Sequence, residues 1–248
     1  LISFDFFILL IYNNLTLKTK KLDKLFESTK EIEVILSLLN LVTDNDLYTK
    51  AYDADDIEII DGIHPLLINP VPNSIKLSGG MILTGSNMSG KTTFMRMVGI
   101  NQVIKEAAGI ALAKSFKSPD IKIYTSLRIN DLLSEGISTF YAEILRMKKI
   151  NAAIKEGKAL ILIDEIFKGT NHDERIKASL LLIEKLNLYN AIFIISTHDF
   201  ELCEAKDITN YHFNEEYIND EIKFDYKIKC GKSNGKNAIY LLHLADII

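Results

Sequence analysis

Cysteine is scarce in this chain, which has two cysteines among 248 residues. Cys203 and Cys230 lie far apart and lack the spacing of a metal site, which excludes a disulfide framework and favours a reducing, cytoplasmic setting. An excess of positive charge is also missing, because 29 basic residues stand against 33 acidic ones and the net charge is −4. Contact with DNA would therefore need a local basic patch or another domain.

A long apolar run is missing as well. Residues 1–12, LISFDFFILLIY, are apolar apart from Ser3 and Asp5, but the run stops at Asn13, short of the roughly 20 residues that a membrane span needs. Lysines follow this run, whereas those of a signal peptide precede it. Because the chain begins at Leu1 rather than at methionine, we expect a piece of a longer protein, with membrane attachment only through segments that precede it.

Proline is confined to a short part of the chain. Residues 61–80 hold all but one of the four prolines, which predicts loops and short edge strands there. Before them, residues 1–42 carry apolar residues at helical spacing, and the acidic residues 43–58 predict a connection. We therefore expect a helical segment over 1–42, the end of a lever or core region, and one domain over 43–248.

After residue 80 the sequence alternates between two patterns. Uninterrupted apolar runs predict buried strands, and stretches with helical periodicity predict helices. We expect strands at 81–84, 121–128, 159–164 and 191–196, a more peripheral strand of alternating residues at 224–229, and helices at 91–113, 138–156 and 173–188. This alternation predicts an α/β fold with a mostly parallel central sheet flanked by helices.

The most specific motif lies between the first of these strands and the first helix. Residues 85–92, GSNMSGKT, match the pattern G-x-x-x-x-G-K-[ST], whose backbone N–H groups cradle phosphates beside the positive end of a helix dipole. We expect Lys91 to bridge the β- and γ-phosphates of a nucleoside triphosphate and the Thr92 hydroxyl to hold Mg²⁺. The candidate nucleotide contacts are Gly85, Ser86, Asn87, Met88, Ser89, Gly90, Lys91, Thr92 and Thr93.

A second glycine-rich stretch, residues 77–80, reads LSGG and resembles the opening of the LSGGQ element of ABC-type ATPases. That element belongs well after the phosphate loop, at the start of a helix, whereas this stretch precedes the loop. We predict a glycine turn between two strands. The pattern also disfavours the nucleotide-binding subunit of an ABC transporter. Such a subunit needs LSGGQ at the start of a helix after the phosphate loop, where this chain reads GISTF.

Three candidate groups follow buried strands. Asp164 and Glu165 lie at the carboxyl end of the run ALILID, where open α/β sheets bind their ligands. Adjacent residues of a strand point in different directions, so we expect Asp164 to approach Mg²⁺ and Glu165 to orient or activate the attacking water. His198 follows the next buried strand and is a candidate for the γ-phosphate or the water, or for a purely structural role.

The segment EGISTFYAE, residues 135–143, opens a helix with small polar residues. Ser138 or Thr139 is a candidate N-cap for this helix. Beyond a cap, the N–H groups at the helix start are a candidate second phosphate site, used in trans by a partner subunit.

Together the motifs resemble the MutS family of ATPases, which act in DNA mismatch repair and recombination. TGSNMSGKTTFMR, with its inner Asn-Met pair, is similar to the family's phosphate loop, and GISTFYAE is similar to its signature helix. LIDEIFKGTN and STHDFEL are similar to the family segments that follow two strands. The pattern is closest to that of the smaller MutS-like bacterial proteins, which share TGSNMSGK and text similar to NYHF, residues 210–213.

The resemblance implies a P-loop NTPase of the ABC-ATPase type that binds and hydrolyses ATP with Mg²⁺. It assigns catalytic or metal-binding roles to Lys91, Thr92, Asp164, Glu165 and His198. It further implies a homodimer in which Ser138 reaches the γ-phosphate of a second copy, while His212 lies near the base. ATP would then switch a DNA clamp that upstream domains supply.

The chain departs from the family at two places. The stretch NPVPN, residues 69–73, has no aromatic residue to stack on adenine, and Lys168 stands where arginine is common. The chain has no mismatch-reading domain, so we do not expect it to recognise a mismatch alone. An alternative function stays open, that of a nucleotide-gated scaffold in a membrane-tethered MutS-like protein that hydrolyses little ATP.

Overall fold

The computed structural model describes residues 2–45, 47–86, 88–127, 139–167, 169–218 and 221–233. The chain divides into two compact units, Leu1–Asp46 and Leu47–Ile248. Helix α1, Ile2–Thr43, occupies the first unit and agrees with the helix expected there. Among the described residues, no helix has the length and apolarity that crossing a membrane demands.

A five-stranded sheet lies in the second unit, in the order β3-β2-β6-β1-β5. Its strands are β1 Thr49–Asp53, β2 Ile57–Gly62, β3 Asn73–Leu77, β5 Ile110–Ala111 and β6 Ser115–Ser118. The expectation of a connection over 43–58 was wrong, because β1 and the start of β2 lie within it. Only Ala51 of β1 is buried, so this strand carries almost no apolar alternation for a sequence reading to detect.

A six-stranded sheet forms the larger layer, in the order β11-β10-β4-β9-β8-β7. Its strands are β4 Gly80–Thr84, β7 Lys122–Ser126, β8 Ala159–Asp164, β9 Ile192–Ser196, β10 Ile208–Ile218 and β11 Glu221–Cys230. The pairs from β10 through β7 are parallel, and β11 pairs antiparallel with β10 as a hairpin. The predicted α/β fold is confirmed. The carboxyl ends of β4, β8 and β9 consequently meet at one edge of the sheet.

Within the described residues, the second unit contains three α-helices: α2 Lys91–Ala108, α3 Thr139–Glu156 and α4 His172–Leu188. The prediction that α2 reaches residue 113 was wrong. Gly109 adopts a left-handed φ of 69° and its N–H donates to the carbonyl of Lys105 at 2.7 Å, which ends the helix. A 3-10 helix, Phe200–Glu204, follows β9.

The core lies on both faces of the larger sheet, as expected for parallel strands. Along β8 and β9 the side chains alternate between two clusters. Leu160, Leu162 and Ile194 pack with α2 residues such as Met95 and Val98. Ile161, Ile163, Phe193 and Ile195 pack with residues of α3 and α4, including Ile150, Ile154, Ile183 and Leu186.

The LSGG stretch is a turn, as predicted. β3 ends at Leu77 in the smaller sheet and β4 begins at Gly80 in the larger one, so the turn carries the chain from one sheet to the other. Gly80 lies against the ring of Phe193, and a Cβ atom at Gly80 would stand 2.2 Å from the ring atom Cζ. Close packing explains this glycine. The turn delivers the chain into β4 and the glycine loop beyond it.

Candidate functional site

The glycine loop that follows β4 owes its shape to two left-handed glycines. Gly85 has a φ of 138° and Gly90 a φ of 105°, a backbone region that side chains disfavour. A Cβ atom at Gly85 would also stand 2.9 Å from the carbonyl oxygen of Phe213 and from Ser89 Oγ. Within the loop, Ser89 Oγ donates to the carbonyl of Ser86 at 2.8 Å. The loop is thus a tight curl between β4 and α2.

Lys91 begins α2 and turns its ammonium group back into this curl. Its side chain is buried, and Nζ donates to the carbonyl oxygens of Gly85 at 2.6 Å and Ser86 at 2.7 Å. The positive charge is therefore concentrated where the N-terminus of α2 adds its own dipole. An anion is the ligand that such a place attracts.

Asp164 lies at the end of β8 and binds two hydroxyl groups. Thr92 Oγ1, on the first turn of α2, donates to Asp164 Oδ2 at 2.8 Å. Ser196 Oγ, at the end of β9, donates to the other carboxylate oxygen, since β8 and β9 pair with Asp164 opposite Ser196. Sequence reasoning brought out Thr92 and Asp164 but missed Ser196. Its only signal was a polar residue at the end of an apolar run.

Glu165 and His198 follow these two strand ends and face each other. His198 Nε2 lies 3.3 Å from Glu165 Oε1. Glu165 has a left-handed φ of 57°, which costs a residue other than glycine about 1 kcal/mol or more and persists only where the surroundings impose it. The N–H of Glu165 donates to the carbonyl of Ser196 at 3.0 Å and so holds the turn.

A small cavity of about 100 Å³ lies beside this pair. Its lining is mostly polar and consists of Glu165, Ile166, Arg175, Thr197, His198 and Asp199. Hydrogen bonds to Asp199 raise the pKa of the Arg175 guanidinium, so Arg175 stays charged. The cavity has the size and polarity that retain a few water molecules.

A larger cavity of about 480 Å³ is lined in part by Lys91 and Thr92. The loop between β2 and β3 supplies one wall with His64, Leu67, Ile68, Asn69, Pro70 and Val71, and α2 supplies Thr93, Phe94, Arg96 and Met97. Met88, Phe213 and Tyr226 complete much of the lining. Its volume is within the range of about 300–1,000 Å³ that is typical of small-molecule sites.

His64 and Arg96 are two basic residues that line the larger cavity. Burial lowers the pKa of His64, and the positive charge of Arg96 lowers it further. His64 is therefore neutral at pH 7, and its Nδ1 accepts a hydrogen bond from the N–H of Leu66 at 3.2 Å. Arg96 remains as a cation in this wall.

Tyr226 brings an aromatic ring to the larger cavity from β11. A Cβ atom at Gly90 would stand 3.2 Å from Tyr226 Cδ1, so the ring lies close to the glycine loop. Its backbone is left-handed, with a φ of 52°. Sequence reasoning missed Tyr226, because FDYKIK carries no signal beyond strand alternation. Only the pairing of β10 and β11 brings this residue back to the loop.

Asn73, at the start of β3, connects the two walls of the larger cavity. Its Nδ2 donates to the carbonyls of Val71 at 3.2 Å and Tyr226 at 3.0 Å. Its Oδ1 accepts from the N–H of Ile228 at 2.8 Å. One buried side chain therefore joins the loop before β3 to the strand that bears Tyr226.

Three residues that the sequence suggested are not among those that line the two cavities in the described part of the chain. Asn87 and Ser138 lie outside the described residues. His212 lies on β10, where its ring Nδ1 hydrogen-bonds with the carbonyl of Gly231 at 3.0 Å. Of the residues described on this strand, Phe213 rather than His212 lines the larger cavity.

Thr92 and Asp164 suit Mg²⁺ better than a metal ion whose ligands all come from protein side chains. The described residues contain no group of three or more His, Cys, Asp or Glu side chains placed to bind a metal. Mg²⁺ is commonly bound by one or two carboxylates together with substrate phosphates and water. The 2.8 Å between Thr92 Oγ1 and Asp164 Oδ2 is close to the roughly 3 Å between adjacent octahedral ligands of Mg²⁺.

Comparisons with known proteins identify the family. The family model described as MutS domain V matches residues 81–247. The chain is 30% identical over 246 residues to "DNA mismatch repair protein MutS" of Aquifex pyrophilus, which covers 92% of this chain and 28% of that protein. It is 30% identical over 236 residues to "MutS protein homolog 4" of Mus musculus, which covers 86% of this chain and 24% of that protein.

The protein named "DNA mismatch repair protein MutS" in Bacillus subtilis (strain 168) is similar to the same extent, with 30% identity over 244 residues and 28% of its length covered. The chain thus spans less than a third of each of these relatives. The family match extends from the first residues of β4 across the glycine loop and both strand ends that carry the candidate site. The chain belongs to the MutS domain V family.

Proposed function

We propose that this chain is a P-loop NTPase of the ABC-ATPase type that binds ATP with Mg²⁺ and hydrolyses it as part of a MutS-like protein. The contact between Thr92 and Asp164 carries the proposal. These residues are 72 positions apart, yet a hydroxyl and a carboxylate that both suit Mg²⁺ lie 2.8 Å from each other. Thr92 directly follows Lys91, whose buried ammonium donates to the carbonyls of the glycine loop.

The phosphates would lie at the N-terminus of α2. The glycine loop, residues 85–90, offers backbone N–H groups, and Lys91 supplies the charge for the β- and γ-phosphates. Thr92 and Asp164 would hold Mg²⁺, which neutralises phosphate charge when it is bound. Ser196 fixes the second oxygen of Asp164 and so orients this carboxylate.

Hydrolysis needs a water molecule directed at the γ-phosphate. Glu165 borders the 100 Å³ cavity, which has room for water. We assign to Glu165 the role of orienting this water and accepting its proton. His198 lies 3.3 Å from the Glu165 carboxylate and holds its orientation.

The 480 Å³ cavity is the proposed place of the base. Ile68, Val71 and Met88 offer apolar contact, and Tyr226 offers an aromatic face close to the loop. Tyr226 thus replaces the upstream aromatic residue that the NPVPN stretch lacks. We assign the base contact to Tyr226 in preference to His212, whose ring is hydrogen-bonded to Gly231.

The relatives' names give the biological setting of the proposal. Two of them are named as DNA mismatch repair proteins, and this chain spans 28% of each. We propose that ATP closes a homodimer, in which Ser138 of the second copy reaches the γ-phosphate. The ATP state then acts on DNA through domains of the whole protein outside this chain.

Glu165→Gln tests the proposal. We expect the wild-type chain to release phosphate from ATP in a Mg²⁺-dependent manner, with a rate per chain that rises with chain concentration as dimers form. The variant keeps the size of the side chain and should bind ATP normally while turnover falls by about 100-fold or more. Wild-type turnover in the variant would refute the role of Glu165. ATP binding without turnover in the wild type would support a nucleotide-gated scaffold instead.

A further inference from the structure

An ion pair ties the first turn of α4 to the loop after β9. Arg175 donates from Nε to Asp199 Oδ2 at 2.8 Å and from its terminal nitrogen to Asp199 Oδ1 at 2.7 Å. The Asp199 side chain is 14% exposed and that of Arg175 is 25% exposed. A two-pronged pair with this degree of burial fixes direction as well as distance, unlike a solvated surface pair.

Asp199 pairs with Arg175 and does not cap the 3-10 helix that follows it. It occupies the N-cap position of the 3-10 helix Phe200–Glu204, where an aspartate ordinarily accepts from the helix N–H groups. No such side-chain bond is present at this cap, because both carboxylate oxygens face Arg175. At Asp199 the ion pair with α4 therefore takes the place of a local helix cap.

His172 adds a second tie between the same two segments. A terminal nitrogen of Arg175 lies 3.1 Å from His172 Nδ1, which accepts a hydrogen bond in the tautomer that carries its proton on Nε2. Nε2 of the same ring lies 3.3 Å from Glu201 Oε1. Glu201 belongs to the 3-10 helix that follows Asp199, so α4 holds the loop at two successive points.

His198 lies between the two fixed residues of this loop. Thr197 is anchored by its N–H to the carbonyl of Leu83 at 3.0 Å, and its Oγ1 accepts from the N–H of Asp199 at 2.9 Å. The ring of His198 is 43% exposed, so packing restrains it only in part. Its approach to Glu165 therefore depends on the backbone that Thr197 and Asp199 set.

We propose that Arg175 is a positioning residue that sets the rate of ATP hydrolysis by holding Asp199, and through it His198, in place against Glu165. This inference rests on the proposed function. Arg175 acts on turnover and leaves nucleotide affinity unchanged, because neither Arg175 nor Asp199 belongs to the phosphate loop or lines the larger cavity. The effect on turnover originates in α4, a helix outside the sequence motifs from which the site was predicted.

Charge removal and charge exchange test the inference in the 248-residue chain. We expect Arg175→Gln and Asp199→Asn each to lower ATP turnover by roughly 10- to 100-fold, the scale of a displacement of about 1 Å in a catalytic geometry. Nucleotide affinity should stay within about twofold of wild type. Arg175→Lys keeps the charge but loses the guanidinium group that donates two hydrogen bonds at once, so it should retain only part of the rate. The double variant R175D/D199R restores the pair and should recover more turnover than either single exchange.

Lys122→Gln is the matched control, because it removes an exposed ion pair with Glu156 at 3.9 Å and should leave turnover unchanged. Wild-type turnover in Arg175→Gln, or parallel losses of affinity and melting temperature, would overturn the inference. Histidine-labelled NMR, with the ring signal of His198 assigned through His198→Gln, provides a readout without ATP. That signal should move in Arg175→Gln and stay in Lys122→Gln. If the wild type hydrolyses no ATP, the proposed function fails, and an unmoved His198 signal refutes the positioning role separately.

Discussion

The Thr92 hydroxyl donates to the Asp164 carboxylate at 2.8 Å, although β4 and β8, the strands that lead to these residues, are not neighbours. β9 lies between them, and its last residue, Ser196, binds the other oxygen of Asp164. Three consecutive strands of the sheet thus contribute to one carboxylate. The orientation of this carboxylate is therefore set by a hydroxyl donor at each of its two oxygens.

Ser196→Ala should weaken the Mg²⁺ dependence of ATP binding. Alanine removes the donor to Asp164 Oδ1 and keeps the backbone of β9, so Thr92 is the hydroxyl donor that remains on this carboxylate among the described residues. We expect about tenfold weaker Mg²⁺ affinity in the presence of ATP, as is typical for loss of a group that orients a metal ligand. The expected loss in the free energy of unfolding is roughly 1 kcal/mol. Titration of Mg²⁺ against ATP turnover and urea unfolding measure the two effects.

Ser118→Ala provides the comparison for this variant. Ser118 is a fully buried serine of β6 in the smaller sheet, away from Asp164. It should leave the Mg²⁺ dependence unchanged. If Ser196→Ala gives the same Mg²⁺ titration as Ser118→Ala, the serine does not orient Asp164.

Tyr226→Ala should weaken ATP binding through the base and not through the phosphates. Stacking of a base on an aromatic side chain contributes about 1–3 kcal/mol, which corresponds to a loss of roughly five- to hundredfold in affinity. Tyr226→Phe keeps the ring and should bind ATP like wild type. Tripolyphosphate lacks a base, so its affinity should be the same for all three proteins in a competition experiment. Equal ATP affinity in Tyr226→Ala and wild type would remove Tyr226 from the base site.

Much of the fold could be predicted because the information is local. Apolar runs located the central strands β4, β8 and β9, and the glycine motif located the start of α2 at Lys91. Parallel strands place their carboxyl ends together, which is why Asp164 and His198 could be expected near the loop. The end of α2 was predicted wrongly although a glycine, Gly109, follows the helix. The reason is that helical periodicity continues through the alanines on both sides of this glycine.

The other site residues could not be predicted, because contacts between distant parts of the sequence bring them to the site. Tyr226 reaches the loop only because β11 folds back on β10, and β10 itself was not among the predicted strands. Its sequence, ITNYHFNEEYI, mixes polar and apolar residues on both faces and has no clear period. Arg175 likewise gives no local sign of its partner, because Asp199 lies 24 positions away on another element.

Gly80→Ala should lower the free energy of unfolding. Its Cβ atom would stand 2.2–2.8 Å from three ring atoms of Phe193, which is itself fully buried. Relief of such overlap in a packed core costs about 1–3 kcal/mol. Gly79→Ala is a matched control, since nothing lies within 4 Å of its added Cβ atom. Urea unfolding should show a lower midpoint for Gly80→Ala alone, with similar slopes, and equal midpoints for the two variants would contradict the close packing.

Asn73→Asp should separate the structural and nucleotide-binding roles of the link between β3 and β11. Aspartate keeps an acceptor for the N–H of Ile228 but loses the donors to the carbonyls of Val71 and Tyr226. Loss of these bonds at a buried position should lower the free energy of unfolding by about 1–3 kcal/mol. Because the strand that bears Tyr226 is then held less closely, we expect weaker ATP binding as well, with tripolyphosphate binding unchanged. A fall in stability at unchanged ATP affinity would make Asn73 a structural link only and would leave the position of Tyr226 to the β10–β11 hairpin.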